Sequence, residues 1–155
     1  MIRNLTILII FFNILSHCGF TPLYSNKSDV NFSITSIEFK GDKEINNFLK
    51  NNLNKFKKDK FKKEYKIKIN SDYSKSILSK NKAAETTNFE LSAITTFEIL
   101  SNNKILKVLK ISEKEIMDNI NDDFEEQKNE RSAKQNFASS MVGKLITEIS
   151  ILNDN

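Results

Sequence analysis

The sequence predicts an α+β fold, a two-layer sandwich with two amphipathic helices on a four-stranded, mainly antiparallel sheet. Two observations carry this prediction. Four segments alternate apolar and polar residues with a period of two, as half-buried strands do, and two segments repeat apolar residues at helical spacing. Their order along the chain is β-α-β-β-β-α. Strands and helices that each have one apolar side bury it best by stacking in two layers.

The first strand and first helix follow each other closely. Val30, Phe32 and Ile34 alternate with polar residues, and the alternation then continues one residue out of phase, which predicts a bulge near Thr35-Ser36. Asp42 follows a glycine and suits the N-cap of a helix. Apolar residues then recur on one helical stripe, formed by Ile45, Phe48, Leu49, Leu53 and Phe56.

Three further strands are expected in the middle of the chain. Tyr65, Ile67 and Ile69 point inward from the second strand, and residues 71–86 are polar and predict a mobile loop in which Ile77-Leu78 packs one turn down. The third strand alternates from 89 to 99. Asn102-Asn103 forms a hairpin turn, because asparagine tolerates positive φ, and residues 105–111 return as a lysine-guarded edge strand.

The last segment is predicted to be a long helix. Asp122 and Glu125 resemble a capping box, and Phe124 opens the apolar stripe. Glu115, which follows Ser112, offers a rival start. The stripe continues through Ala133, Phe137, Ala138, Met141, Val142, Leu145, Ile149 and Leu152.

The N-terminal segment indicates export. Arg3 precedes an apolar run over residues 5–15, which is too short for a membrane span of about 20 residues but suits a signal peptide. Cys18, the only cysteine, follows this run where a lipoprotein would be acylated. His17 stands where lipoprotein signals carry a small residue, so ordinary cleavage after Cys18 and an uncleaved signal anchor stay open as alternatives.

These features divide the chain into three parts: a lipoprotein-type signal peptide over 1–17, a lipidated cysteine and tether over 18–29, and one α+β domain over 30–152. Without Arg3, the 24 basic residues become 23, against 20 acidic ones, so the mature chain is only mildly basic. No disulfide is possible once Cys18 is acylated. An apolar core or a partner must therefore hold the fold together.

The residues that catalysis needs are scarce. The only histidine lies in the signal segment, and the sequence contains no CxxC, HExxH or glycine-rich phosphate loop. The carboxylates at Asp122-Asp123 and Glu125-Glu126 are better explained as favourable charges at a helix N-terminus than as a metal or acid–base site. We therefore expect no catalytic residues, no metal, no cofactor and no enzymatic activity.

The densest charged feature is the run from Lys55 to Lys63. It is either a solvated helix end or a patch for an anionic ligand, with Phe56 and Phe61 interleaved for acyl or ring contact. Nucleic acid is excluded as a partner because an exported chain meets little of it. Phosphorylated lipid headgroups, in contrast, are abundant in the compartment to which such a chain is exported. The candidate residues for binding such a phosphorylated lipid are Lys57, Lys58, Lys60, Lys62 and Lys63.

The junction Cys18-Gly19-Phe20-Thr21-Pro22-Leu23-Tyr24 closely resembles the mature start of LPS-assembly lipoproteins of the LptE family, of the alphaproteobacterial type. The order of strands and helices is also similar to that family. So is the closing helix, with Arg131, Ala133 and Phe137. The resemblance covers nearly the whole mature chain, but only the seven residues of the junction match the family's sequence specifically.

The resemblance implies a lipid-anchored protein on the periplasmic side of the outer membrane. Such a protein plugs and stabilises the export β-barrel LptD and assists lipopolysaccharide assembly at the cell surface. Its expected partners are an LptD-like barrel, lipopolysaccharide and, through the anchor at Cys18, the membrane. The alternative hypothesis is an unrelated periplasmic lipoprotein that binds anionic lipid or cell-wall components.

Overall fold

The computed structural model describes residues 31–57 and 63–154. Val30, the predicted first residue of the first strand, lies outside these ranges, as do the signal peptide and tether. The observed order of elements confirms the predicted α+β sandwich. The elements are β1 (Phe32–Gly41), α1 (Lys43–Leu53), a 3₁₀ turn (Asn54–Phe56), β2 (Lys63–Lys80), β3 (Thr86–Ser101), β4 (Lys104–Asp118) and α2 (Asp123–Asp154).

The sheet has the spatial order β1-β2-β3-β4. β1 and β2 are parallel and are joined through α1, whereas β2, β3 and β4 pair antiparallel through two hairpins. The predicted bulge in β1 is confirmed, because the pairing register shifts between Ile34 and Ser36. The predicted hairpin turn is also confirmed. Asn102 and Asn103 both adopt positive φ, at 50° and 63°.

The prediction of a loop over 71–86 is wrong. β2 continues to Lys80, and only residues 81–85 connect it to β3. Polar side chains stabilise this distal half through hydrogen bonds across the hairpin to β3: the Ser79 hydroxyl donates to Asn88 at 2.6 Å and lies 2.6 Å from the Thr87 hydroxyl. The expected packing of Ile77-Leu78 is wrong as well, since both are strand residues with about half of their surface exposed.

The final helix begins at the first of its two predicted starts, the one capped by Asp122. β4 extends to Asp118, so Glu115 is a strand residue and the rival helix start is wrong. The Asp122 carboxylate instead accepts from the backbone N–H groups of Phe124 and Glu125, which confirms it as the cap. Phe124 does not open the buried stripe, because 73% of its surface is exposed.

The core lies between the two helices and one face of the sheet. Its largest fully buried side chains come from both layers, and Phe32 contacts Tyr65 edge-on with ring centroids 5.8 Å apart. The apolar stripes predicted for both helices supply half of this core. Its fully buried members are Phe32, Phe97, Ile34, Ile45, Leu49, Leu53, Ile67, Leu91, Ile99, Met141, Leu145 and Ile149.

A tight junction fixes the passage from β1 into α1. Gly41 has φ +89°, and a Cβ atom there would lie 1.9 Å from the Ser71 carbonyl oxygen. That oxygen accepts from the Asp42 backbone N–H at 2.8 Å, while the Asp42 carboxylate caps α1 by accepting from the Ile45 N–H. The amide of Asn46 completes the junction, donating to the Lys40 carbonyl and accepting from the Ser71 hydroxyl, each at 2.9 Å.

Candidate interaction surfaces

One face of the sheet carries no helix. Its residues alternate along each strand with the buried core positions, and we call this surface the open sheet face. Lysines on this face lie beside acidic residues of neighbouring strands: Lys68 is directly opposite Glu38 on β1 and Glu98 on β3. Lys114 likewise donates to Glu90 at 2.8 Å. The open sheet face therefore presents mixed charges rather than one sign.

Two shallow depressions lie side by side on the open sheet face, along β1, β2 and β3. They have volumes of about 210 and 120 Å³. Lys68 and Glu38 line both of them, and Thr96 and Asn70 add neutral polar groups to the second. A surface of this kind can exchange hydrogen bonds with another polar surface, but it offers no deep apolar cleft for a small ligand.

The structure places only part of the predicted lysine run. Lys57 and Lys63 are exposed at one end of the sandwich, whereas Lys58, Lys60 and Lys62 lie outside the described residues, as does Phe61. The Lys63 ammonium donates to the Asn153 carbonyl in the last turn of α2. Phe56 is partly buried against the core, which confirms its predicted place on the apolar stripe, and the Lys55 ammonium lies 5.3 Å from the centroid of its ring; its contact with a ligand stays a prediction.

The same end of the sandwich gathers two lysines that sequence reasoning did not select. Lys66 on β2 donates to the Asn103 side chain in the β3–β4 turn, and Lys104 is exposed just after that turn. We call Lys57, Lys63, Lys66 and Lys104 the basic end. Only the pairing of β2 with β3 brings Lys104 to the other three, because residues 63–66 and 100–104 lie side by side in the sheet but far apart in sequence.

A half-buried network of charges joins the opposite part of β2 to both helices. Lys75 donates to Glu126 at 2.6 Å and to Glu130 at 3.2 Å, and Lys134 donates to Glu130 and to Glu44, each at 2.9 Å. This charge network ties the distal half of β2 to α2 and ties α2 to α1.

Burial and pairing act in opposite directions on the charge network. Burial opposes ionisation of Glu130, but hydrogen bonds from Lys134 and Lys75 outweigh it, so the pKa of this carboxyl lies below its ordinary value. For Lys134, burial favours the neutral amine, yet hydrogen bonds to Glu44 and Glu130 raise its pKa above the usual range. Lys134 also lies 4.2 Å from the centroid of the Tyr73 ring. At neutral pH, pairing therefore favours the charged forms of Glu130 and Lys134.

Cys18, the predicted lipidation site, lies outside the described residues, so its acylation stays a prediction. Among residues 31–57 and 63–154, no helix is both long and apolar enough to cross a membrane. Within the same ranges, no group of three or more histidine, cysteine or acidic side chains is arranged to hold a metal ion.

Comparison with solved structures shows that this fold recurs in bacterial lipoproteins, although no protein-family model and no curated protein matches the chain. An uncharacterized lipoprotein B from Nitrosomonas europaea is 17% identical with a TM-score of 0.61, covering 83% of this chain and 90% of that one. The rare lipoprotein B from Shewanella oneidensis is 12% identical (TM-score 0.55; 76% and 98% covered). A minor lipoprotein from Acinetobacter baumannii is 14% identical (TM-score 0.55; 77% and 92%). At these identities, the similarity establishes a shared fold.

Proposed function

We propose that this chain is an outer-membrane lipoprotein that plugs and stabilises an LptD-like lipopolysaccharide-export barrel and assists lipopolysaccharide assembly. The observation that carries the proposal is the fold, which three proteins named as lipoproteins share over most of their length. The LptE-like junction at Cys18 supports it independently, because it supplies an acylation site directly after an export signal.

The open sheet face provides a surface suited to a barrel lumen. The interior of an outer-membrane barrel is polar, and a protein lodged there must offer polar groups on its outside. Lys68, Glu98 and Thr96 on the open sheet face can exchange hydrogen bonds with such a wall without leaving buried groups unpaired. The buried core on the other side keeps the plug folded without help from the wall.

The lysine run is the proposed contact for lipopolysaccharide. Lysine ammonium groups bind phosphate as compact point charges. Lys57 and Lys63, the two candidate residues that the structure describes, are both exposed. The proposed role is structural, without catalysis or cofactor, because the chain after residue 18 contains neither histidine nor cysteine.

Co-purification from native outer membranes tests the barrel partner. The full chain with a C-terminal affinity tag is solubilised in mild detergent, and we expect a one-to-one complex with a large β-barrel protein. The Cys18→Ala variant should lose its acyl chains, seen by mass spectrometry, while retaining part of the barrel binding. Recovery of an acylated chain without any barrel would reject the plug and favour the alternative, a lipoprotein that binds anionic lipid or cell-wall material.

A second experiment tests the lipopolysaccharide contact. Changing the five lysines of the run to glutamine should weaken binding of lipopolysaccharide in a pull-down without altering the unfolding midpoint. A control variant removes the same charge elsewhere and should bind as the parent does. Equal loss in both variants would show that only net charge matters. The test set is Lys57, Lys58, Lys60, Lys62 and Lys63, and the control set is Lys40, Lys43, Lys80, Lys82 and Lys110.

A further inference from the structure

The chain enters the fold at the basic end. β1 and β2 are parallel, and Phe32, the first residue of β1, pairs with Lys63, the first residue of β2. The β3–β4 turn lies at this same level of the sheet, three strand spacings from β1, which is about 14 Å. The segment from Cys18 to Asn31 spans at most about 45 Å when fully extended. An anchor at Cys18 therefore allows the basic end to reach the membrane.

The β3–β4 turn carries exposed apolar residues directly beside the lysines. The pairing passes from Ile99–Lys107 to Leu100–Ile105, so Leu106 is the extra residue of a bulge. Adjacent strand residues normally point to opposite faces, but here Ile105 is 56% exposed and Leu106 49% exposed. Both side chains are therefore available to enter an apolar environment at the hairpin tip.

Charge at the tip has one dominant sign. The four lysines of the basic end are exposed, and the nearby described carboxylates that are exposed are Glu64 and, in the depression that Lys66 also lines, Glu38. Lys107 is already paired with Glu148 on α2, so it adds little positive charge to the tip. Lysine side chains reach from an apolar surface to the headgroup phosphates, and leucine and isoleucine beside them can enter the acyl boundary. This combination is typical of a surface that binds anionic membranes.

We propose that the β3–β4 turn, with Ile105 and Leu106 and the lysines of the basic end, docks on the anionic phospholipid headgroups of the membrane that holds the anchor. Docking orients the sandwich upright, with the charge network and the start of α2 farthest from the lipid. The inference rests on the anchor at Cys18 and goes beyond the proposed barrel plug, because it assigns a lipid-binding surface and an orientation to the domain.

The absence of tryptophan from the sequence makes a direct test possible. Leu106→Trp places a single fluorophore at the tip. Ile116→Trp, the matched control, places one at the far end of the same strand, where the side chain is 63% exposed. The chain beginning at Cys18 retains every strand, helix and core residue that the structure describes. Its single cysteine can be coupled to a maleimide lipid in vesicles, which supplies the anchor whether or not the cell acylates it.

On vesicles containing phosphatidylglycerol, we expect Leu106→Trp emission to shift to shorter wavelength and to be quenched by brominated acyl chains. The Ile116→Trp emission should stay that of a water-exposed indole. Changing Lys66 and Lys104 to glutamine should weaken docking about fivefold per lysine. Vesicles of phosphatidylcholine alone should give little shift.

Three results would overturn the proposal. Equal quenching of the two tryptophans would show that the domain has no preferred orientation, and an equal response on neutral vesicles would show that charge plays no part. A shift of Leu106→Trp emission without vesicles would mean that a second copy of the chain covers the tip. Because the maleimide lipid replaces the natural anchor, failure here leaves the co-purification test of the barrel plug unaffected.

Discussion

Replacing Gly41 by alanine should be one of the most damaging small changes in this protein. A Cβ atom at this position would lie 1.9 Å from the Ser71 carbonyl oxygen and 2.8 Å from its carbon, far inside van der Waals contact. Since these are backbone atoms of a central strand, β1 and β2 must separate locally. That separation breaks the 2.8 Å hydrogen bond from the Asp42 N–H to the Ser71 oxygen, at the entrance to α1.

The expected loss adds two contributions. A residue with a Cβ at φ +89° costs roughly 1–2 kcal/mol in backbone strain. A buried backbone pair that loses its hydrogen bond costs roughly another 1–3 kcal/mol. The free energy of unfolding of Gly41→Ala should therefore fall by about 2–5 kcal/mol, a large share of the roughly 5–15 kcal/mol typical of a domain.

Urea unfolding followed by circular dichroism measures this loss. Ala84 provides the control, because it already has φ +64° in an exposed turn. Ala84→Gly removes the strain of positive φ without any change in packing, and it should alter stability by no more than about 1 kcal/mol. The reasoning is refuted if Gly41→Ala changes the unfolding free energy by less than 1 kcal/mol with an unchanged urea dependence.

Three further predictions concern the charge network, the core and the β3–β4 turn, all measured by urea unfolding. Glu130→Gln should cost roughly 1.5–3 kcal/mol at pH 7. Because the pKa of Glu130 is lowered on folding, this difference should persist above about pH 4.5 and shrink as the pH falls further; a constant difference down to pH 3 would contradict it. Phe97→Ala should cost about 3–5 kcal/mol, whereas Phe124→Ala, at an exposed position, should stay within about 0.5 kcal/mol. Comparable losses at the two positions would be inconsistent with the described core. Asn103→Val should cost about 1–2 kcal/mol because valine resists positive φ, and Asn103→Gly should not; equal effects would argue against strain.

Local signals predicted much of the fold correctly. Asp42 and Asp122 were identified as helix caps because a short side-chain acceptor there satisfies N–H groups that the helix leaves unpaired. The turn at Asn102-Asn103 was identified because few residues tolerate positive φ. Each of these features depends on neighbours within a few residues, so the sequence alone contains the physical cause.

The largest error, the loop predicted over 71–86, has the opposite origin. The distal half of β2 has too few apolar residues to show alternation, and its strand conformation depends on partners far along the chain. Lys75 reaches Glu126 and Glu130 on α2, and Ser79 bonds to residues of β3. Polar residues form a strand here because ion pairs and cross-strand hydrogen bonds stabilise it in place of buried apolar side chains.

The candidate sites divide in the same way. Cys18 and the lysine run could be selected from sequence because each is a local pattern. The complete basic end could not, because Lys104 joins Lys57, Lys63 and Lys66 only when β2 pairs with β3. Periodicity likewise indicated that Ile105 belongs to a strand, but its exposure beside Leu106 follows from a bulge.

For this protein, the sequence by itself determined the class of fold, the caps and the turn at Asn102-Asn103, since short-range sterics and hydrophobic periodicity act between near neighbours. The tertiary structure alone decided how far β2 and β4 extend, where the half-buried charges pair and which lysines share one end. Those properties depend on strand register and helix docking, which bring together groups that are up to 90 residues apart, such as Glu44 and Lys134.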